Sequence, residues 1–141
     1  MTKDGVIIRF VETWDEDEIV QLYRAGGWWK DEYDPHSIPD LFRGSFVVAI
    51  AVDQITGHAI GMGRVLSDGI SDGYIQDLVV LSEFRKKGIG TLIVTALVRK
   101  CKEAGLSWIC AVAEPGTESF YSPLGFHVMQ EHVPMLWKSD P

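Results

Sequence analysis

Apolar positions recur along this chain in two rhythms, and the places where the rhythm changes mark the elements. Residues 6–11 read as a first strand. Asp15, Glu16, Asp17 and Glu18 then put negative charge where a helix begins, and Ile19, Leu22 and Tyr23 follow at helical spacing until Gly26 and Gly27 end it. On this reading the four acids are only helix-start charges. Trp28, Trp29 and Tyr33 fill an aromatic connection before a short helical or irregular stretch over residues 37–42. Residues 46–52 and 59–66 are strand-like runs joined by the turn residues 53–57, and another strand covers residues 73–81. From Ile89 the apolar residues Leu92, Ile93, Ala96, Leu97, Cys101 and Ala104 form one helical stripe that stops at Gly105. Residues 108–113 are almost unbrokenly apolar, which predicts a central strand covered on both sides. A short helix over residues 117–124, with Thr117 at its start, and two strands over 126–130 and 133–137 close the chain. Strands and helices in this order predict a single mixed α/β sheet in one domain, residues 1–141, with no repeat or long linker.

Composition narrows the partners more than the fold. With 141 residues and 46% apolar content the chain suits one core. No run approaches the roughly 18 apolar residues of a membrane span, and the first residues lack a signal peptide's apolar stretch, so a cytoplasmic location with no membrane partner is expected. Thirteen Lys and Arg against twenty acids give a net charge of −7, which argues against a nucleic-acid partner while allowing a local basic loop. Cys101 and Cys110 sit in apolar patterns without metal-site spacing and read as buried thiols; no metal is expected.

That basic loop is Arg85-Lys86-Lys87-Gly88-Ile89-Gly90, between a strand and a helix. Its glycines let backbone approach a ligand, and the opening turn of the following helix offers unpaired N–H groups and the positive end of the dipole. Phosphate or pyrophosphate would meet backbone donors and side-chain charge together. The spacing fits neither the dinucleotide fingerprint nor the P-loop. It does fit Arg-x-x-Gly-x-Gly, and here the sequence resembles the GNAT superfamily of acetyl-coenzyme A-dependent N-acetyltransferases. The resemblance extends upstream through Ile75-Gln76-Asp77-Leu78-Val79-Val80 and downstream through Phe120-Tyr121-Ser122-Pro123-Leu124-Gly125-Phe126, in the family's order.

The resemblance implies a GNAT-like α/β (α+β) fold: one mixed, mostly antiparallel sheet of about six to seven strands flanked by about four helices and splayed at the fourth and fifth strands. It implies acetyl-CoA as cosubstrate, its pantetheine arm pairing with backbone at Leu78, Val79 and Val80 and its pyrophosphate on the loop formed by Arg85, Lys86, Lys87, Gly88, Ile89, Gly90 and Thr91. The implied reaction is direct transfer of acetyl to a primary amine. The backbone N–H of Leu78 would donate to the thioester carbonyl, and Tyr121, in Phe-Tyr-x-x-x-Gly-Phe, would protonate or hydrogen-bond the leaving thiolate.

The base stays open among Asp77, Glu114 and a water relay. Strand alternation sends Gln76 and Asp77 to opposite faces, so only one of them would face the acceptor pocket. An alternative of the same fold is a catalytically weak coenzyme A-binding sensor or interaction module. Trp28, Trp29 and Tyr33 read either as a wall for the amine acceptor, a small molecule or peptide, or as core packing; Arg64 reads as surface decoration in preference to a contact with an acidic acceptor group, His36 lies in the aromatic connection within reach of an acceptor, and His58, His127 and His132 read as turn or surface residues. Family habit implies a homodimer through the last strands, Trp137 included.

Overall fold

The first helix opens on its predicted charges. Asp15 accepts a hydrogen bond from the Glu18 N–H at 3.0 Å and starts α1, Glu16–Ala25, which buries Ile19, Val20, Leu22 and Tyr23 on one side. The computed structural model describes residues 1–139. Six strands, β1 (Thr2–Lys3), β2 (Val6–Phe10), β3 (Val47–Asp53), β4 (Ala59–Leu66), β5 (Asp72–Val80) and β6 (Trp108–Ala111), form one sheet in sequence order. The first five pair antiparallel, and β6 lies parallel to β5. Between them come α2 (Ile38–Arg43) and the long α3 (Ile89–Glu103); α4 (Glu118–Tyr121) follows β6.

The two faces of the sheet are built differently. On one, Val48, Ile50, Val52, Met62 and Val79 meet Ile19, Leu22 and Tyr23 of α1 and Ile38 and Phe42 around α2 in a single apolar cluster. On the other, small residues let α3 lie close. A β-carbon at Gly61 would stand 3.1 Å from Ile93 Cδ1, and one at Gly63 would stand 2.9 Å from Leu97 Cδ1. Ile93, Val94 and Leu97 of α3 are fully buried as a result.

The chain divides into two compact units, Met1–Ala111 with the whole sheet and α1 to α3, and the residues from Val112 onward with α4. In the second unit Tyr121 stacks edge-on with Phe120 at 4.9 Å and with Phe126 at 5.5 Å between ring centres. Thr117 stands at the start of α4 but does not cap it; its hydroxyl donates to the Glu114 carbonyl instead.

Three expectations change. The two strands predicted over 126–130 and 133–137 do not form: these residues have no ladder partner, and Val128, Val133, Leu136 and Trp137 are exposed. Alternating apolar character makes a strand only where another edge receives it. Consequently β6, expected in the centre, ends the sheet, with Trp108 half exposed. The two-residue β1, too short to carry a periodic signal, was not expected at all.

Candidate active site

The pairing of β5 with its two neighbours sets the geometry of the site. On the β6 side the parallel ladder runs from Asp72–Trp108 to Ile75–Ala111 and ends there, so residues 76–80 keep one edge of their backbone outside the sheet. This is the expected splay, between the strands predicted fourth and fifth, which the additional β1 makes β5 and β6. On the β4 side the register passes from Met62–Val79 to Arg64–Gln76, which leaves Gly63 facing both Asp77 and Leu78. Two residues against one is a β-bulge, and a bulge leaves the extra residue's backbone outside the regular ladder. Asp77 carries it at φ +58, in the left-handed region that Asp tolerates better than most side chains.

The bulge overturns the alternation argument for Gln76 and Asp77. Both side chains reach the same guanidinium: Arg64 Nε donates to Asp77 Oδ2 at 2.6 Å and Arg64 Nη2 donates to Gln76 Oε1 at 3.3 Å. A left-handed residue breaks the period of two, so neighbours come to one face. Arg64 is no surface decoration either. Its side chain is 12% exposed and that of Asp77 14%, and Arg64 Nη1 also donates to Ser45 Oγ. From α1 the Tyr23 hydroxyl donates to the same Asp77 oxygen at 2.6 Å. Burial first, then the adjacent Asp77 charge, pushes the Tyr23 pKa well above its ordinary value, so the phenol stays a neutral donor.

Downstream, the loop turns through two left-handed residues, Lys86 at φ +63 and Gly88 at φ +78, before α3 begins. No side chain caps α3, whose first intrahelical bond runs from the Leu92 N–H to the Gly88 carbonyl. The N–H groups of Ile89, Gly90 and Thr91 thus have no intrahelical partner and open toward the loop. The Ile89 side chain is buried, as is that of Val79, so these two residues offer the site only their backbone. The three loop cations are not equivalent. Arg85 Nε donates to the Val80 carbonyl at 2.8 Å and Arg85 Nη2 to the Ala25 carbonyl at 3.4 Å, tying the end of α1 to the end of β5. The Lys87 ammonium lies 5.6 Å from the centre of the Phe84 ring.

A fourth cation was missed from sequence. Lys3 Nζ lies 2.5 Å from where a β-carbon at Gly88 would be, which brings β1 and its charge to the start of α3. Nothing in a two-residue strand 85 residues upstream signals this neighbour. Missed too was Glu18. Its carboxylate accepts from the Ala59 N–H at 2.6 Å and from Trp14 Nε1 at 3.2 Å, joining α1 to the start of β4, so it is more than a helix-start charge.

Unit one therefore brings together Asp77, Leu78, Val79, Val80 and the loop from Arg85 to Thr91. Glu114 and Tyr121 belong to the second unit, where Glu114 is exposed and Tyr121 half-buried. Trp28 and Trp29 pack partly buried against the apolar cluster; Trp29 continues to Tyr33, ring centres 5.5 Å apart, and Tyr33 is exposed. Burial raises the pKa of the Cys101 thiol and, with the nearby charge of Asp72, that of Cys110, so neither is an activated nucleophile. Among the described residues no His, Cys, Asp and Glu gather in a group of three or more that could hold a metal ion, and no helix is long and apolar enough to cross a membrane.

An open strand edge beside a bulge, running straight into a glycine-opened helix start, is a place for an extended ligand with an anionic group. The sequence gives the class: residues 5–126 match the acetyltransferase (GNAT) family, and the chain belongs to it. An uncharacterized N-acetyltransferase of Porphyra purpurea, ycf52, is 28% identical over 109 residues, covering 77% of this chain and 63% of its own length. The chain thus spans somewhat under two thirds of this curated relative. Among solved structures, a probable acetyltransferase of Staphylococcus aureus superposes with a TM-score of 0.80 at 19% identity, over 94% of this chain and 98% of that one. A predicted acetyltransferase of Clostridium acetobutylicum, crystallised with acetyl-CoA, gives 0.70 at 20% identity, over 93% and 96%. These likenesses establish the six-stranded mixed sheet with helices on both faces as the GNAT fold.

Proposed function

We propose that this protein is an acetyl-CoA-dependent N-acetyltransferase that passes acetyl to a primary amine by direct attack. The observation that carries the reading is the continuity of one segment: the free edge of β5 at residues 76–80, the bulge within it, and the uncapped start of α3 follow one another in the order that a thioester with a long arm and a pyrophosphate requires. The family relationship supports it.

Backbone at Val79 and Val80 pairs with the amides of the arm as a further strand would. The N–H groups of Ile89, Gly90 and Thr91, with Arg85, Lys86, Lys87 and Lys3 nearby, receive the pyrophosphate; Arg85 also shapes the loop, since two of its nitrogens bond the Val80 and Ala25 carbonyls. Leu78 N–H donates to the thioester carbonyl oxygen, where negative charge develops as the amine nitrogen attacks. The N–C bond forms and the C–S bond breaks, the nitrogen losing its proton to water and the sulfur taking one up; the family motif makes Tyr121 the candidate for that donor, and Glu114 stays a candidate acceptor on the resemblance alone. The raised pKa values of both cysteines favour this route over an acyl-enzyme.

The test is release of free coenzyme A thiol across a panel of amines, with acetyl-CoA binding followed by calorimetry. Acceptor-dependent release is expected, and Tyr121→Phe should lower turnover far more than coenzyme affinity. Binding without release across the panel would favour a coenzyme-binding module. Absence of binding would overturn the reading of the loop.

A further inference from the structure

The polar cluster behind the bulge joins side chains from four parts of the chain: α1, the segment before β3, β4 and β5. Asp77 Oδ2 takes two donors, Tyr23 Oη from α1 and Arg64 Nε from β4, each at 2.6 Å. The remaining Arg64 nitrogens reach Ser45 before β3 and Gln76 on β5. All of this sits against the one residue of β5 whose backbone is left-handed.

We propose that Tyr23 and Arg64 are positioning residues that lock Asp77 in its left-handed conformation and so fix the backbone N–H of Leu78 at the open edge, with Asp77 acting as an anchor and not as the base. The inference rests on the transferase reading given above. Its physical content is conformational. An extended backbone is the ordinary state of a strand residue, and Asp at φ +58 persists only where its surroundings over-determine it. Two charge-assisted hydrogen bonds from opposite elements do that. Release them, and the extra residue relaxes toward the extended state and the peptide that carries the Leu78 N–H turns with it.

The same contacts disqualify Asp77 as proton acceptor. Tyr23 and Arg64 both donate to one carboxylate oxygen, and protonating the group would remove the charge that holds the arginine in a part-buried site. A phenol held neutral by burial suits a permanent donor better than a proton relay. The cluster acts through the peptide it holds, since Tyr23, Arg64 and Ser45 lie on other elements and reach the open edge only through the residues of β5.

Tyr23→Phe and Asp77→Asn test this. The first deletes one donor with little change of shape; the second keeps an acceptor and a residue type that tolerates the left-handed region but removes the charge. In the free protein, the Asp77 Cα and Cβ chemical shifts report left-handed against extended backbone. They should move toward extended values in Tyr23→Phe while those of Ile75 stay put. Acetyl-CoA affinity should stay within about threefold and kcat should fall about ten- to a hundredfold, as misplacement of an aligned donor does. Asp77→Asn should keep the acidic limb of the rate profile at the wild-type pH. Unchanged Asp77 shifts in Tyr23→Phe would overturn the positioning role, and loss of the acidic limb in Asp77→Asn would make Asp77 the base after all. Should wild type fail to bind acetyl-CoA, the transferase reading falls, while the chemical shifts of the free protein still decide whether Tyr23 holds the bulge.

Discussion

Tyr23 shows how a residue that reads as core in sequence becomes part of a site. Its ring lies at helical spacing with Ile19 and Leu22 and is buried like theirs; only its hydroxyl, 2.6 Å from Asp77, sets it apart. Burial and the Asp77 charge raise its pKa in the fold above the ordinary 10.0. The folded state therefore binds the phenolic proton more tightly than the unfolded chain does. The stability this contributes is complete below about pH 10 and is lost as pH climbs toward the raised value, at up to about 1.4 kcal/mol per pH unit. Urea denaturation from pH 9 to 11 should show wild type losing stability more steeply than Tyr23→Phe; parallel slopes would mean that the phenol is not held as described. Arg64, Gln76 and Asp77 carry the complementary lesson. All three stood out in the sequence, yet two were sent to opposite faces and one to the surface, because strand periodicity assumes an unbroken ladder. A single left-handed residue invalidates that assumption, and an aspartate gives less warning of one than a glycine would.

At the scale of elements, α1, the β3–β4 hairpin, β5 and α3 were legible because each is long enough to complete several periods or ends at an unambiguous turn. The start of α3 was legible as an anion site for a different reason: glycines at a strand-to-helix junction state a backbone requirement directly. β1 and the termination of the sheet at β6 were not legible, since pairing partners are a property of the whole sheet and leave no mark on a short segment. The contact between α3 and the sheet makes a sharp prediction. Gly63→Ala would place its β-carbon 2.9 Å from Leu97 Cδ1 and 3.0 Å from Ile93 Cγ2, both on fully buried side chains that have little room to give. A loss of about 1–3 kcal/mol is expected by chemical denaturation. An unchanged midpoint would show that α3 can stand off from the sheet. The same helix brings Lys3 to Gly88, so Lys3→Ala should weaken acetyl-CoA binding at low salt by a few-fold, with the difference shrinking as ionic strength rises.

At the scale of the molecule, elements and bonds are distributed unevenly. The sheet, α1 to α3 and the main apolar cluster lie within Met1–Ala111, whereas residues 126–139 contain no helix or strand and expose Val128, Val133, Met135, Leu136 and Trp137. Limited chymotrypsin digestion followed by mass spectrometry should find the earliest cuts there, since proteases need backbone that is free of ladders; a first cut inside β3, β4 or β5 would contradict it. The free edge of β5 has a further consequence. Bare strand backbone is a template for any other strand, so a protein that leaves one exposed is exposed to its own copies as well. The bulge bends that edge, and the anchored carboxylate beside it interrupts the flat run that a second chain would have to match. What makes this edge fit for a ligand thus also makes it a poor seed for aggregation. Variants that straighten β5 are expected to be judged first by their solubility.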